Sequence, residues 1–284
     1  MEREQRGTPA ECLAAALARR FGEDVPGAPP IAGLDLLASL AGHASHRSFA
    51  ATPVDPGVIR LLCAVALSAP TKSDLQQRDI VVVAEPELRR RLAALMSEQA
   101  WIANAPHLLV VCGNNRRQRQ LHAWRGRRFA NDHLDAFFNA ATDAAIVLAW
   151  LVAASDAAGL GCCPISAIRN RAQEVSDLLA LPDHVFPFAG LALGHPAGPP
   201  NISLRLPLAA TLHTDRFGEA DIRAQVEAYD RRRAAIQPYA EQRFAAEDGR
   251  AAEYGWSEDK ARQYARSERA DFGAFVRRKG FELR

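Results

Sequence analysis

The stretch NDHLDAFFNAATDAAIVLAWLVAASDAAGLG, beginning at Asn131, constrains the chain more than any other. From Asp132 to Ala158 it holds neither proline nor glycine. A helix over those residues runs about 40 Å at 1.5 Å per residue. Asn131 and Asp132 have side chains suited to capping its start. Its second half, AAIVLAWLVAAS, is apolar almost all round, and such a helix is buried rather than laid on a surface. Asp143 and Asp156 bracket too short an apolar stretch for a membrane span. The expectation is a core helix, within one chain or at a subunit interface.

The flanking sequence supplies the layers that would cover it. Residues 8–20 read as a short amphipathic helix and PGAPP at 26–30 as a linker. Leu34, Leu36, Leu37 and Leu40 suggest a second helix ending near Gly42. From Pro56, the spacing of Ile59, Leu62, Cys63 and Ala66 predicts a helix that closes before Pro70. DIVVVA (79–84) and HLLVVC (107–112) read as strands, with a helix from Pro86 to Met96 between them. Both runs are continuously apolar, the pattern of a sheet covered on both faces. CCPIS and FPFAGLALG (186–194) predict two more strands, separated by a helix from Asn170 to Leu181.

Residues 217–284 change to Arg/Glu/Ala-rich helices. The last is expected to start at a Ser257 cap, with Glu258 and Asp259 in its first turn and Arg277, Arg278 and Lys279 in its last. Gly280 then sits where a helix-ending glycine belongs. The expected organisation is a helical segment at 1–44, an α+β domain at 45–215 and a helical extension at 216–284.

Composition narrows the function. The chain has 284 residues, enough for one large domain or two small ones with a substantial core. Lys plus Arg is 35 against 33 Asp plus Glu, so it lacks the basic excess expected of a nucleic-acid partner. No apolar run reaches a membrane span, and residues 1–30 carry no signal-peptide pattern, so a cytoplasmic protein without a membrane partner is expected. The five cysteines are Cys12, Cys63, Cys112, Cys162 and Cys163. Their odd number and spacing fit neither a disulfide framework nor a metal site. Cys162–Cys163 reads as apolar filler in a strand before it reads as a redox pair.

Six segments, in order, resemble the FMN-dependent nitroreductase family, and most of all its NADPH-dependent nitroreductase and flavin reductase branch. They are HRSFAATPV, SAPTKSDLQQRDIVVV, SEQAWIANAPHLLVVCG, GLGCCPISAIRN, LPDHVFPFAGLALGHPA and SLRLPL. The likeness covers residues 45 to about 215, with a looser echo in the C-terminal helices. It implies a mixed sheet flanked by helices and an interlocked homodimer with the flavin at the interface. The central helix would pack against its partner. It also implies FMN as cofactor and NADPH or NADH as co-substrate, working by ping-pong hydride transfer through flavin N5. Acceptors would be small and electron-poor: nitroaromatics, quinones or flavins. A reductive dehalogenase or other flavin oxidoreductase on this scaffold, and a flavin-binding protein without turnover, remain alternatives.

The resemblance assigns site residues one by one. His46, Arg47 and Ser48 match the FMN-phosphate triplet, and Arg205 its distant basic partner. Arginine can grip two phosphate oxygens at once while hydroxyl and imidazole take others. By residues alone the triplet reads first as a solvated turn before a helix, and the ordered context of the six segments reverses that. Where the family often has lysine two residues before that arginine, this chain has Ser203. Thr71 and Ser73 fall in a hydroxyl-rich loop lining the flavin, although a hydroxyl turn after proline is also common loop chemistry. Gln99 matches a glutamine at the ribityl chain or ring edge, or is a surface residue. Pro164, Ile165, Ser166 and Ala167 match the stretch covering one ring face, where the family usually has two glycines in place of Ser166 and Ala167.

Arg169 either helps bind the nicotinamide nucleotide or is structural. Arg231, Arg232, Arg233, Arg243 and Arg250 are candidates for a 2′-phosphate, or are solvated helix faces. The family's second basic residue after the triplet is missing here. Lys72 is its candidate replacement for stabilising reduced flavin, with the phosphate or solvent as its other destinations.

Overall fold

A computed structural model describes residues 7–24 and 31–284. The PGAPP linker expected at 26–30 lies outside the described residues. In chain order the helices are α1 (Pro9–Phe21), α2 (Leu34–Gly42), α3 (Pro56–Leu67), α4 (Pro86–Ala94), α5 (Arg116–Trp124), α6 (Leu134–Ala157) and α7 (Ala172–Leu178). They continue with α8 (Ile222–Ile236), α9 (Ala245–Asp248), α10 (Trp256–Tyr264) and α11 (Phe272–Arg278). The strands are β1 (Arg78–Val83), β2 (His107–Asn114), β3 (Gly161–Ile165) and β4 (Val185–Gly194). The backbone forms two compact units, each discontinuous in sequence. One holds residues up to His43 and Asn201–Glu268; the other holds Ala44–Pro200 and Arg269–Arg284.

The second unit is built on a four-stranded sheet of order β1-β2-β4-β3. All its strand pairs are antiparallel. The sheet expected to be mixed has one parallel element among the described residues, an isolated bridge from Ser45 to Cys162. Period-two alternation sends Leu108, Val110 and Cys112 of β2 to one face, against Leu92 of α4 and Val175 of α7. Leu109 and Val111 go to the other, against Ile59 and Leu62 of α3 and Ala144, Val147 and Leu151 of α6. The strands are apolar throughout because both faces are covered.

The central helix starts later than expected. His133 is the capping residue, its Nδ1 accepting from Asp135 N at 3.3 Å. Neither Asn131 nor Asp132 caps it: Arg119 draws Asp132 away through hydrogen bonds of 2.6 and 2.9 Å. That pairing holds the Asp132 carboxyl below its ordinary value. By length and composition α6 could cross a membrane. Here one face lies on the sheet, and Phe138, Ala145, Ala149 and Trp150 are exposed on the rest. The all-round apolar sequence is therefore half covered, because a single sheet reaches only one side.

The last helix expected is two. Ser257 is not a cap; Gly255 holds that place, while Ser257 N donates to Asp230 at 3.0 Å. Glu258 and Asp259 do occupy the first turn of α10. Arg269 then adopts φ 55°, and the chain resumes as α11. Phe275, Val276 and Phe281 are buried with Ala136, Ala140 and Phe186 of the sheet-bearing unit. Gly280, at φ 85°, follows α11 in the left-handed conformation that glycine adopts without strain.

His107 opens β2, and its Nε2 accepts from Val54 N at 3.1 Å, a bond that only the unprotonated nitrogen can take. Burial, with Arg89 and His195 adding to it, lowers its pKa below 6.5. The neutral ring is then the stabilising form. Its contribution is complete above the ordinary histidine value and lost as pH falls through the folded one. Thermal midpoints should fall as pH drops below the ordinary histidine value of 6.5, and less so in His107→Gln, which keeps an acceptor. Identical pH dependence in the two proteins would refute this.

Candidate functional site

The triplet sits on an extended segment sewn to the sheet-bearing unit on both sides. His46 N donates to Cys162 O at 2.9 Å, Ala50 N to His195 O at 2.8 Å, and Ala197 N to Ser48 O at 3.1 Å. Gly161 makes room for it: a Cβ there would lie 2.9 Å from His46 Cβ and Cγ. With its backbone fixed, the segment leaves Arg47 and Ser48 exposed. The Arg47 guanidinium lies 5.9 Å from the Trp101 ring centre and pairs with no carboxylate among the described residues. Beneath it, burial pushes the Cys163 thiol up, with Arg47 and Ser45 opposing that shift. Burial likewise raises Cys162, to about 12. Both thiols are buried and protonated, as expected of filler rather than a redox pair.

The loop from Thr71 to Gln77 is held from two directions. Asp143, 1% exposed on α6, accepts from Thr71 Oγ1 at 2.5 Å, Lys72 N at 3.0 Å and Gln77 N at 2.8 Å. Thr71 Oγ1 in turn accepts from Gln76 N at 2.9 Å. Its hydroxyl is thus engaged inside the loop. From the other side Gln118 Nε2 donates to Leu75 O and Arg117 Nη1 to Gln76 O, each at 2.6 Å. Asn115 Nδ2 donates to Gln77 Oε1, also at 2.6 Å. Within this frame Ser73, Asp74 and Gln76 take φ of 49°, 55° and 53°, left-handed values unusual for these residues. Lys72 and Ser73 are exposed, and the Lys72 ammonium has no partner among the described residues.

At the end of β3, Pro164 and Ser166 are exposed, whereas Ile165 and Ala167 are buried in the core. Only the backbone of the latter two can meet a ligand. Neither Ser166 nor Ala167 has a positive φ, so their side chains replace glycines here without backbone strain. Gln99 is half-buried ahead of a 3-10 turn (Ala100–Asn104) and lines a groove of about 540 Å³ with Arg89, Arg90 and Ser97. Arg169 donates to Phe188 O at 2.5 Å and lies over the Phe188 and Phe272 rings, a structural assignment.

Arg205 belongs to the other unit. It is exposed, its N donates to Arg20 O at 2.7 Å, and its Nη1 to Leu204 O at 3.0 Å. A cavity of about 520 Å³ there is lined by Arg20, Phe21, His43, Arg205, Tyr229 and Trp256. Two of the C-terminal arginines are engaged in that unit: Arg232 donates to Arg20 O and Arg205 O, and Arg233 lies 4.8 Å from the Tyr239 ring centre. Arg243 lies 3.5 Å from Asp259, while Arg231 and Arg250 are exposed.

Residues 40–195 match the nitroreductase family, and residues 203–284 match that family's C-terminal domain. The chain belongs to the nitroreductase family. Among its relatives is a Bacillus subtilis protein named FMN reductase (NADPH), 30% identical over 86% of this chain and 96% of the relative. Another from the same organism, named FMN reductase, NAD(P)H, is 29% identical over 88% and 98%. The structure titled NADPH:FMN oxidoreductase from Vibrio harveyi complexed with NAD+ superposes with a TM-score of 0.76 at 25% identity. It covers 88% of this chain and 99% of that one.

Asp143, Asn115, Gln118 and Trp101 border this candidate site and were not singled out from the sequence. A carboxylate in the middle of a largely apolar helix was the signal available for Asp143. Gly161→Ala should force the triplet away from β3, costing about 1–3 kcal/mol through overpacking. A thermal midpoint equal to that of the unmodified protein would contradict the close approach.

Proposed function

We propose that this nitroreductase-family chain is an FMN-containing, NAD(P)H-dependent oxidoreductase of the nitroreductase and flavin reductase type. The observation that carries the reading is Arg47. It is an exposed guanidinium without a carboxylate partner among the described residues, on a backbone fixed at three points beside a serine hydroxyl. That donor set suits a phosphate monoester, and the relatives named as FMN reductases support FMN as its owner. His46, Arg47 and Ser48 would hold the phosphate. Ser73, Lys72 and Gln99 would border the flavin, and Pro164 to Ala167 would offer backbone amides to one ring face.

When bound, FMN supplies two-electron chemistry, taking a hydride from the reduced nicotinamide nucleotide and passing it to an acceptor. The chain's own residues position that chemistry. Lys72, a cation without a partner among the described residues on a fixed loop, is assigned the task of lowering the cost of negative charge on the reduced ring. Small electron-poor compounds, nitroaromatics, quinones or free flavins, are the acceptors, and the cytoplasm is the compartment. Of the C-terminal arginines, Arg231 and Arg250 remain candidates for a nucleotide 2′-phosphate, which supports a preference for NADPH.

The same reading includes a homodimer. The exposed stripe of α6 (Phe138 63%, Trp150 41%) lies on the helix that packs with α3, which exposes Leu61 (62%) and Val65 (41%). Apolar surface of this kind calls for cover, and an obligate partner would bury more than about 2,000 Å².

The deciding experiment is anaerobic. Purified protein should carry FMN, and NADPH should bleach it within seconds; persistent colour would leave a flavin binder without turnover. Arg47→Ala should weaken FMN retention roughly ten- to hundredfold, with the fold intact. Lys72→Met should keep FMN but lower its reduction potential; weaker FMN binding at unchanged potential would move Lys72 to the phosphate. In sedimentation a stable, flavin-loaded monomer would contradict the dimer.

A further inference from the structure

The loop bearing Lys72 and Ser73 holds three non-glycine residues in left-handed conformation, Ser73, Asp74 and Gln76. Such a backbone persists only where its surroundings over-determine it. Two side-chain sets do so with opposite chemistry. Asp143 is acceptor-only and takes the N–H groups of Lys72 and Gln77 with the Thr71 hydroxyl. The start of α5 supplies donors: Gln118 and Arg117 take the carbonyls of Leu75 and Gln76, and Asn115 takes the Gln77 side chain. Asp143, Asn115 and Gln77 are each 1% exposed, and Gln118 is 6%. Water cannot substitute for Asp143, Asn115 or Gln118 without opening the core.

We propose that Asp143 and Gln118 are positioning residues that preset the 71–77 loop, so that Lys72 and Ser73 stand ready for the flavin before it binds. The proposal rests on the FMN reading for what the loop receives. The presetting itself belongs to the protein alone. The carboxylate is required because all three groups facing Asp143 are donors. One oxygen takes Thr71 Oγ1 and Gln77 N, and the other takes Lys72 N. An asparagine would offer one oxygen to this array and turn an NH₂ toward the remaining donor. At the opposite side, Gln118→Ala leaves the Leu75 carbonyl without its donor.

The test compares Asp143→Asn and Gln118→Ala with the unmodified full-length protein by hydrogen exchange in the FMN-free state and by FMN titration. In both variants the amides of Lys72 and Gln77 should exchange at least about tenfold faster, with those of Val110 and Leu109 in β2 unchanged. FMN affinity should fall roughly ten- to hundredfold. In NADPH turnover at saturating FMN, kcat should fall more than the KM for nucleotide rises. Should Asp143→Asn fail to fold, Gln118→Ala decides the matter from the other side of the loop. Unchanged exchange at Lys72 and Gln77 together with unchanged FMN affinity overturns the proposal. So does acceleration spread equally over β2, which would make the network merely structural. If unmodified protein takes up no FMN, the cofactor reading and this one fall together. FMN uptake by unmodified protein with no change in the variants overturns only this one.

Discussion

The carboxylate of Asp143 is buried in the middle of α6, whose covered face is apolar apart from it, Asn139 and Ser155. An ionised carboxylate away from water is tolerated only when its oxygens meet strong donors. Here the donors come from one loop, separated from Asp143 by 66 to 72 residues in sequence. The need to satisfy this charge therefore ties the central helix to the segment entering β1. Because Arg78 opens β1 directly after Gln77, the tie also fixes where the edge strand begins. Helix, loop and sheet edge are thereby locked in one register by a single charged group.

The sheet makes that lock rigid. Leu109 and Val111 on one face and Leu108, Val110 and Cys112 on the other are essentially inaccessible, so β2 cannot shift without opening two cores. α6 rests on the first of these faces and presents its second face, with Phe138 and Trp150, outward. One helix thus presents side chains in three directions: apolar toward the sheet, a carboxylate toward the loop and apolar outward. A partner chain covering the outward face would fix the same helix that holds the loop. In the proposed dimer, assembly and cofactor geometry would share this mechanical element.

Much of this was legible in the residues, for identifiable reasons. The four strands were readable because each is a short, β-branched or apolar run bounded by turns. Pro56 marked the start of α3, and the structure adds an Asp55 cap whose Oδ1 accepts from Gly57 N at 2.6 Å. α5 was not legible. In RRQRQLHAW the one buried residue is Gln118, so no apolar period announces the helix. The break between α10 and α11 was hidden for a different reason. Residues 257–271 contain neither proline nor glycine, and the interruption comes from burial of Phe275, Val276 and Phe281 in a distant cluster. At the site, the triplet could be found because its residues are contiguous. Asp143 could not be given a role because its partners are remote, and an acid in a largely apolar helix has several destinies.

The departures from the family pattern become intelligible in the same terms. A loop with three left-handed positions would ordinarily use glycine, yet this one has Ser73, Asp74 and Gln76. Glycine would relieve the strain and would also enlarge the set of conformations open to the free loop. With Asp143 and α5 supplying external constraint, side chains can occupy those positions and the loop stays narrow in conformation. The same constraint makes it possible to carry a cation there. Lys72 has its amide hydrogen-bonded to the buried carboxylate while its ammonium has no partner among the described residues. The negative charge of Asp143 is already engaged by the Thr71 hydroxyl and two backbone amides, deep in the core. It is therefore not available to neutralise the ammonium by direct contact. Fixing a loop with a carboxylate usually risks cancelling any cation the loop presents. Burying that carboxylate, and directing it at N–H groups of the backbone, leaves the positive charge of Lys72 for whatever the loop binds.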